Sequence, residues 1–227
     1  MTTSITEWLQ GIEMGDIGAK AANLELLRRW GFPVPNWFVI PASVCERHID
    51  PRFRHTDPAS LRKHILTIQP DAQLVQLLSR FTETLAVNDR RVAVRSSSIG
   101  EDGAMHSFAG QLESYLFVTK EEVFPAVRKV WASAFGDRAI AYRRERGILT
   151  DAVRVGVIVQ EMIDADVSGV SFGLDPVTGD RSTIVISAVY GLGEGLVSGE
   201  LDADRYTVRA DGPDGSAIEK HRLILLT

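Results

Sequence analysis

The chain has 227 residues, 44% hydrophobic and 24% charged, the balance of a soluble globular protein with room for one large core or two small ones. Its 25 Lys and Arg against 30 Asp and Glu give a formal charge of −5, which argues against a nucleic-acid footprint, and no apolar run approaches a membrane span. A single cysteine, Cys45, excludes an internal disulfide and disfavours a metal cluster, and without a secretory leader pattern the expected location is cytoplasmic.

In chain order, the first informative segment is GDIGAKAANLELLRRWGFPVPNWFVIP, from Gly15 to Pro41. Leu24, Leu27 and Trp30, with Ala19 and Ala22 nearby, recur at helical spacing on one side, so AKAANLELLRRW reads as a helix. Gly31 stands at the C-cap, and Pro33 and Pro35 prevent continuation; WFVI then reads as a strand. Lys20 falls in the first turn, near the positive end of the helix dipole, where it either wants an anion or is a plain surface lysine. Asp57-Pro58 opens a further helical region, and Leu74, Leu77, Leu78, Phe81 and Leu85 form the clearest amphipathic stripe.

The segment from Val92 to Val118 is the most distinctive. A strand, VAV, delivers Arg95 and then breaks into Ser96, Ser97, Ser98, Ile99 and Gly100; a polar loop runs to Gly110, and a second strand, LESYLFV, follows. Small residues let main-chain N–H groups turn toward an anion, and a fixed guanidinium supplies the counter-charge, which is the chemistry of a phosphate-binding loop. The plainer alternative is an irregular connection in which Arg95 pairs with Glu101 or Asp102. The three serines have no general base in the sequence and read as phosphate donors or loop caps, and His106 as a hydrogen-bonding loop residue.

After the loop, Thr119 to Glu122 fits a capping box for a helix that buries Val123, Val127, Val130, Trp131 and Ala134. Gly136-Asp137 interrupts it, and DRAIAYRRER forms another, whose basic run Arg143-Arg144-Glu145-Arg146 reads as a solvated face. The last third switches to period two. Val153, Val155, Val157 and Val159 lead into Gln160-Glu161-Met162-Ile163, and residues 167–174 and 182–189 read as strands joined by the turn-rich DPVTGDR. RYTVR supplies another short strand. GLGEG fails the dinucleotide fingerprint, because Leu196 stands where its last glycine is required, and no Walker lysine motif or paired-histidine metal spacing occurs. The class is α+β, with a mostly helical lobe over 1–91 and a β-rich lobe with the phosphate loop over 92–227.

VAVRSS followed by ED and SFAGQLESYL resembles the nucleotide-binding domain shared by phosphoenolpyruvate synthase, rifampicin phosphotransferase and, more distantly, pyruvate phosphate dikinase. GAKAANL with GFPVP, VIVQEMIDADVSGVSFGLDPVTGD, and YGLGEGLVSGELDADRY agree with that family in the same order. The resemblance implies an ATP-grasp fold whose lobes clamp ATP, and transfer of its β-phosphoryl group to a histidine with release of AMP and phosphate. By the same resemblance Lys20 contacts the nucleotide's phosphates and Arg95 is the phosphate-binding, catalytic arginine. Gly110 and Ser114, a serine in place of the more usual threonine, line the triphosphate. Gln160 begins the hinge beside adenine, the backbone of Glu161 to Ile163 supplies hinge hydrogen bonds, and Met162 or Ile163 touches the base.

The departures are specific. Gly18-Ala19-Lys20-Ala21 replaces the family's usual GGKG. The IEW-type motif that carries the ligands of Mg²⁺ and a second arginine does not occur, so Mg²⁺ is expected for the full-length family but not for ligands in this chain. The phosphohistidine and acceptor-substrate domains are missing as well. The expectation is therefore a C-terminally incomplete ATP-binding portion of a phosphotransferase; the alternative is a non-catalytic nucleotide-binding or protein-interaction module. An unpaired sheet edge would favour a homodimer.

Overall fold

The structure, a computed structural model, describes residues 13–85, 91–99, 112–145, 154–209 and 218–221. The chain divides into two compact units, residues 1–162 and 163–227. The lobes expected from sequence divide it at 91/92 instead, and the sheet of the first unit draws strands from both sides of that point.

The first unit contains helices α1 (Gly18–Arg29), α2 (Ala42–His48), α3 (Pro58–Thr67), α4 (Ala72–Leu85), α5 (Val123–Ser133) and α6 (Asp137–Glu145). Its strands are β1 (Trp37–Ile40), β2 (Val92–Ser98), β3 (Ser114–Val118) and β4 (Val155–Glu161), an antiparallel sheet in the order β1-β4-β2-β3. Local signals place several ends. The Asp57 carboxylate accepts from Ser60 N–H with Pro58 in the first turn, and the Thr119/Glu122 capping box forms as expected. Gly31, in a left-handed conformation, closes α1 by donating to the Arg28 carbonyl.

The sheet is covered on both faces. Phe38, Ile40, Val92, Val94, Val155, Val157 and Val159 point into the larger core with residues of α2 to α5. Trp37, Val39 and Ile158 point the other way, against Ile17 and Ala21. The valine alternation of β4 is thus one face of a strand buried on both sides, as its position between two neighbours requires.

Two expectations are corrected. Of the expected stripe on α1, Leu24 packs against the small core, but Leu27 is exposed and Trp30 is 66% exposed; the buried residues are Gly18, Ala21 and Glu25, after Ile17 at the N-cap. The reason is close backbone approach: a Cβ added at Gly18 would lie 2.3 Å from the Ser97 carbonyl oxygen, and one at Gly156 would lie 2.8 Å from that of Ile17. At these two points only glycine fits, so the contact is made by backbone and small residues with Ile17 and Leu24 packed beside it, while Leu27 and Trp30 lie outside. Arg143 is also not on a solvated face. It is buried, and its Nε and Nη2 have no hydrogen-bond partner among the described residues.

Glu25 is 1% exposed and accepts from Arg28 and Arg29 at 2.8 Å. The Arg28 hydrogen bond, ahead of the opposing effect of burial, holds its carboxyl below the ordinary value of 4.5. A depressed folded value means that the stabilisation is fully present above about 4.5 and is lost as pH falls through the folded value. Glu25→Gln should therefore cost about 1–3 kcal/mol at pH 7. Urea unfolding should show the gap to wild type narrowing as pH falls below about 4.5; a gap independent of pH would refute the ion pair.

The second unit is an antiparallel meander, β5 (Val167–Phe172), β6 (Thr183–Tyr190), β7 (Asp204–Arg209) and β8 (Ile218–His221), with a short helix α7 (Glu194–Ser198). The DPVTGDR connection is a turn held by its own carboxylates. Asp175 accepts from Val177 and Thr178 amides, and Asp180 accepts from Ser182 and Thr183. No helix among the described residues is long and apolar enough to cross a membrane.

Candidate functional site

Residues 93, 95 and 97 of β2 alternate with the core-facing Val92 and Val94, so their side chains share the face on which α1 packs. Ser97 marks that face, since its Oγ accepts the Ala21 N–H of the first turn of α1 at 3.1 Å. β2 runs on through Ser98 rather than breaking after Arg95, and all three serines are buried ladder residues. Ser97 thus takes up an amide of the first helical turn from a strand 76 residues away, rather than capping its own loop.

Arg95 stands exposed on this face between two neutral polar residues. On β4, diagonal to it, is the buried Gln160, whose Oε1 accepts from Arg95 Nη1 at 3.3 Å. On β3, directly opposite, is Ser114. β3 reaches this register through a bulge: Val92 pairs with Val118 but Val94 with Tyr115, and the displaced Phe117 has φ 56°. Among the described residues Arg95 forms no ion pair, and the flanking carboxylates are engaged elsewhere. Glu161 accepts from Asn36 Nδ2 at 2.9 Å, and Glu113 accepts from the Tyr115 hydroxyl. Burial, with that hydrogen bond, raises the Tyr115 phenol above its ordinary range, so it stays a donor.

Lys20 occupies the first turn of α1, half-buried, beside Ala21. Arg95, Ser114 and Gln160 therefore lie on adjacent strands of one sheet face, and the helix bearing Lys20 packs on that same face. Gly110 falls outside the described residues, as do Glu101, Asp102 and His106.

The expected hinge narrows. The Glu161 N–H donates to the Asn36 carbonyl at 2.8 Å and the Met162 N–H to the Arg91 carbonyl at 3.1 Å, because β4 is a central strand whose ladder continues past its end. Two of the three hinge amides are thus already donated within the protein. Ile163, exposed, is the amide that donates to no carbonyl among the described residues, and Met162 is half-buried beside it.

For Mg²⁺ the fit fails among the described residues: no group of three His, Cys, Asp or Glu side chains is disposed to hold a cation.

Sequence reasoning missed two devices here. Glycine at 18 had a visible signal in GAK, but nothing local to it reveals the Ser97 carbonyl it abuts. The Arg95–Gln160 contact joins residues 65 apart and becomes visible only once β2 and β4 are paired.

Comparison with known proteins supplies the family. Residues 14–223 match the model described as pyruvate phosphate dikinase, AMP/ATP-binding domain. An uncharacterized phosphotransferase, YvkC, of Bacillus subtilis (strain 168) is 38% identical over 192 residues, covering 84% of this chain and 23% of that one. A rifampicin phosphotransferase of Bacillus cereus is 38% identical over 152 residues, 66% of this chain and 17% of that one. A phosphoenolpyruvate synthase of Aeropyrum pernix is 36% identical over 223 residues, 85% of this chain and 26% of that one. The chain thus spans about a quarter or less of the length of these relatives. With the match covering nearly all the described residues of both units, the chain belongs to the pyruvate phosphate dikinase AMP/ATP-binding domain family.

Proposed function

We propose that this chain is the ATP-binding portion of a phosphotransferase resembling phosphoenolpyruvate synthase, with a fold of the ATP-grasp type. Arg95, assisted by Lys20, Ser114 and the loop residue Gly110, holds the phosphates; Gln160 begins the hinge beside adenine, and Met162 or Ile163 touches the base. The observation that carries the reading is an exposed arginine on a sheet face with no carboxylate partner among the described residues, flanked by Gln160 and Ser114. A guanidinium so placed keeps its full charge for an incoming anion. Phosphoryl transfer depends mainly on positioning and on stabilising charge, which these residues would supply as donors to phosphate oxygens. By the family resemblance the phosphoryl group would pass to a histidine on a further domain, and Mg²⁺ would be held by residues other than those described.

Titration calorimetry tests it. ATP and AMP should bind, and Arg95→Ala should weaken ATP by about 1.5–3 kcal/mol, the range of a charge-assisted hydrogen bond, while adenosine changes little. Equal losses for ATP and adenosine would remove Arg95 from the phosphate site. The edge strands β1, β3, β5 and β8 favour a homodimer, and light scattering that finds a monomer at all concentrations would remove it.

A further inference from the structure

Gln160 has been assigned a place beside adenine, yet its side chain reaches the other way along the sheet, to Arg95. We infer that Gln160 is a positioning residue for Arg95: its neutral amide oxygen aims the guanidinium without spending the charge, and so makes this face selective for a polyphosphate over an uncharged nucleoside. The inference deepens the proposed nucleotide site and rests on it.

Four observations support it. Gln160 is buried, so its carboxamide is fixed by packing rather than swinging in solvent. Arg95 is exposed, so without a partner its long side chain would sample many rotamers. The contact is diagonal across the β2–β4 ladder, where Ala93 pairs with Gln160 and Arg95 with Ile158, so the sheet register dictates it. Finally, the carboxylates next in sequence to Gln160 and Ser114, Glu161 and Glu113, are bonded to Asn36 and Tyr115. Helix α1 carries the cation Lys20 in its first turn, and the carboxylate it buries, Glu25, accepts from Arg28 and Arg29. A carboxylate at position 160 would aim Arg95 equally well but neutralise it. An amide aims and leaves the charge available.

The test separates aiming from charge. In the full chain, Gln160→Glu, Gln160→Met and Arg95→Met are titrated with ATP and with adenosine at pH 8 and pH 5. Gln160→Glu should bind ATP about tenfold or more weakly than wild type at pH 8, as expected for an ion pair that competes with phosphate, with adenosine within about twofold. At pH 5 that deficit relative to wild type should narrow as the introduced carboxyl takes up protons, a response a merely structural role would not give. Gln160→Met should lose ATP affinity about threefold to tenfold with no such pH response. Its loss should also disappear in the Arg95→Met background.

Wild-type ATP affinity in Gln160→Glu, or parallel losses for ATP and adenosine, would overturn the inference and leave the nucleotide site standing. If Gln160→Glu does not fold, additive losses in the Arg95→Met, Gln160→Met pair would overturn it instead. A wild-type chain that binds adenosine and ATP equally would overturn the phosphate reading itself, and with it this one.

Discussion

Gly18→Ala is expected to destabilise the first unit by about 3–5 kcal/mol, combining left-handed backbone strain with overpacking against main chain. Gly18 has φ +75°, a region costly for any residue with a Cβ. The new methyl carbon would also meet the Ser97 carbonyl oxygen at 2.3 Å, its carbon at 2.6 Å and Oγ at 2.7 Å. None of these is the free end of a flexible side chain: the first two are backbone of a central strand, and the third is tied to Ala21. Helix α1 would have to lift, breaking the Ser97–Ala21 hydrogen bond and moving Lys20 off the sheet face.

Gly31→Ala is the control. It shares the positive φ, at +83°, but a Cβ there meets nothing within 4 Å, so only about 1 kcal/mol of conformational strain is expected. Chemical denaturation should rank the two variants in that order, and Gly18→Ala that still folds should lose ATP affinity as Gly31→Ala does not. Equal and small losses would mean that α1 is not held by backbone contact at this point.

How much of this was legible beforehand depends on whether the cause was local. The Asp57 cap, the Thr119–Glu122 box, the Gly31 stop and the turn at Asp175–Asp180 follow from side chains bonding their own neighbourhood, and sequence carries them directly. The stripe on α1 was partly misread, because periodicity weighs size and hydrophobicity. Contact with a strand at backbone distance instead selects glycine and alanine and leaves Trp30 outside. The serines after Arg95 looked like loop because their polarity suggested solvent, yet a central strand can bury hydroxyls when a helix amide takes one of them, as Ala21 takes Ser97. Arg95, Ser114 and Gln160 were chosen by resemblance; pairing β2 with β3 and β4 supplies the physical reason that they share a face. Helix α2, and the use of the Glu161 and Met162 amides within the sheet, had no sequence signal of comparable strength.

The opposite face of the sheet makes the other large prediction. Trp131 on α5 is 1% exposed, in edge contact with Phe124 at 6.4 Å and 83° between ring planes, within the core that supports Val92, Val94 and Val157 from below. Trp131→Ala removes one of the largest buried side chains and should cost about 3–5 kcal/mol, the transfer and cavity contributions together. Trp131→Phe should behave differently. The indole Nε1 is buried with no hydrogen-bond partner among the described residues, so removing this donor is expected to return about 1–3 kcal/mol. Phenylalanine keeps most of the apolar volume and the edge contact, and the net cost should stay below about 1.5 kcal/mol. Because Arg95 and Gln160 lie across the sheet from this core, any Trp131→Ala protein that remains folded should bind ATP with wild-type affinity. Denaturation midpoints and calorimetry on the same samples decide both points. Trp131→Phe as costly as Trp131→Ala would show that the indole N–H is satisfied, and a loss of ATP affinity without loss of fold would show that the two faces of the sheet are coupled.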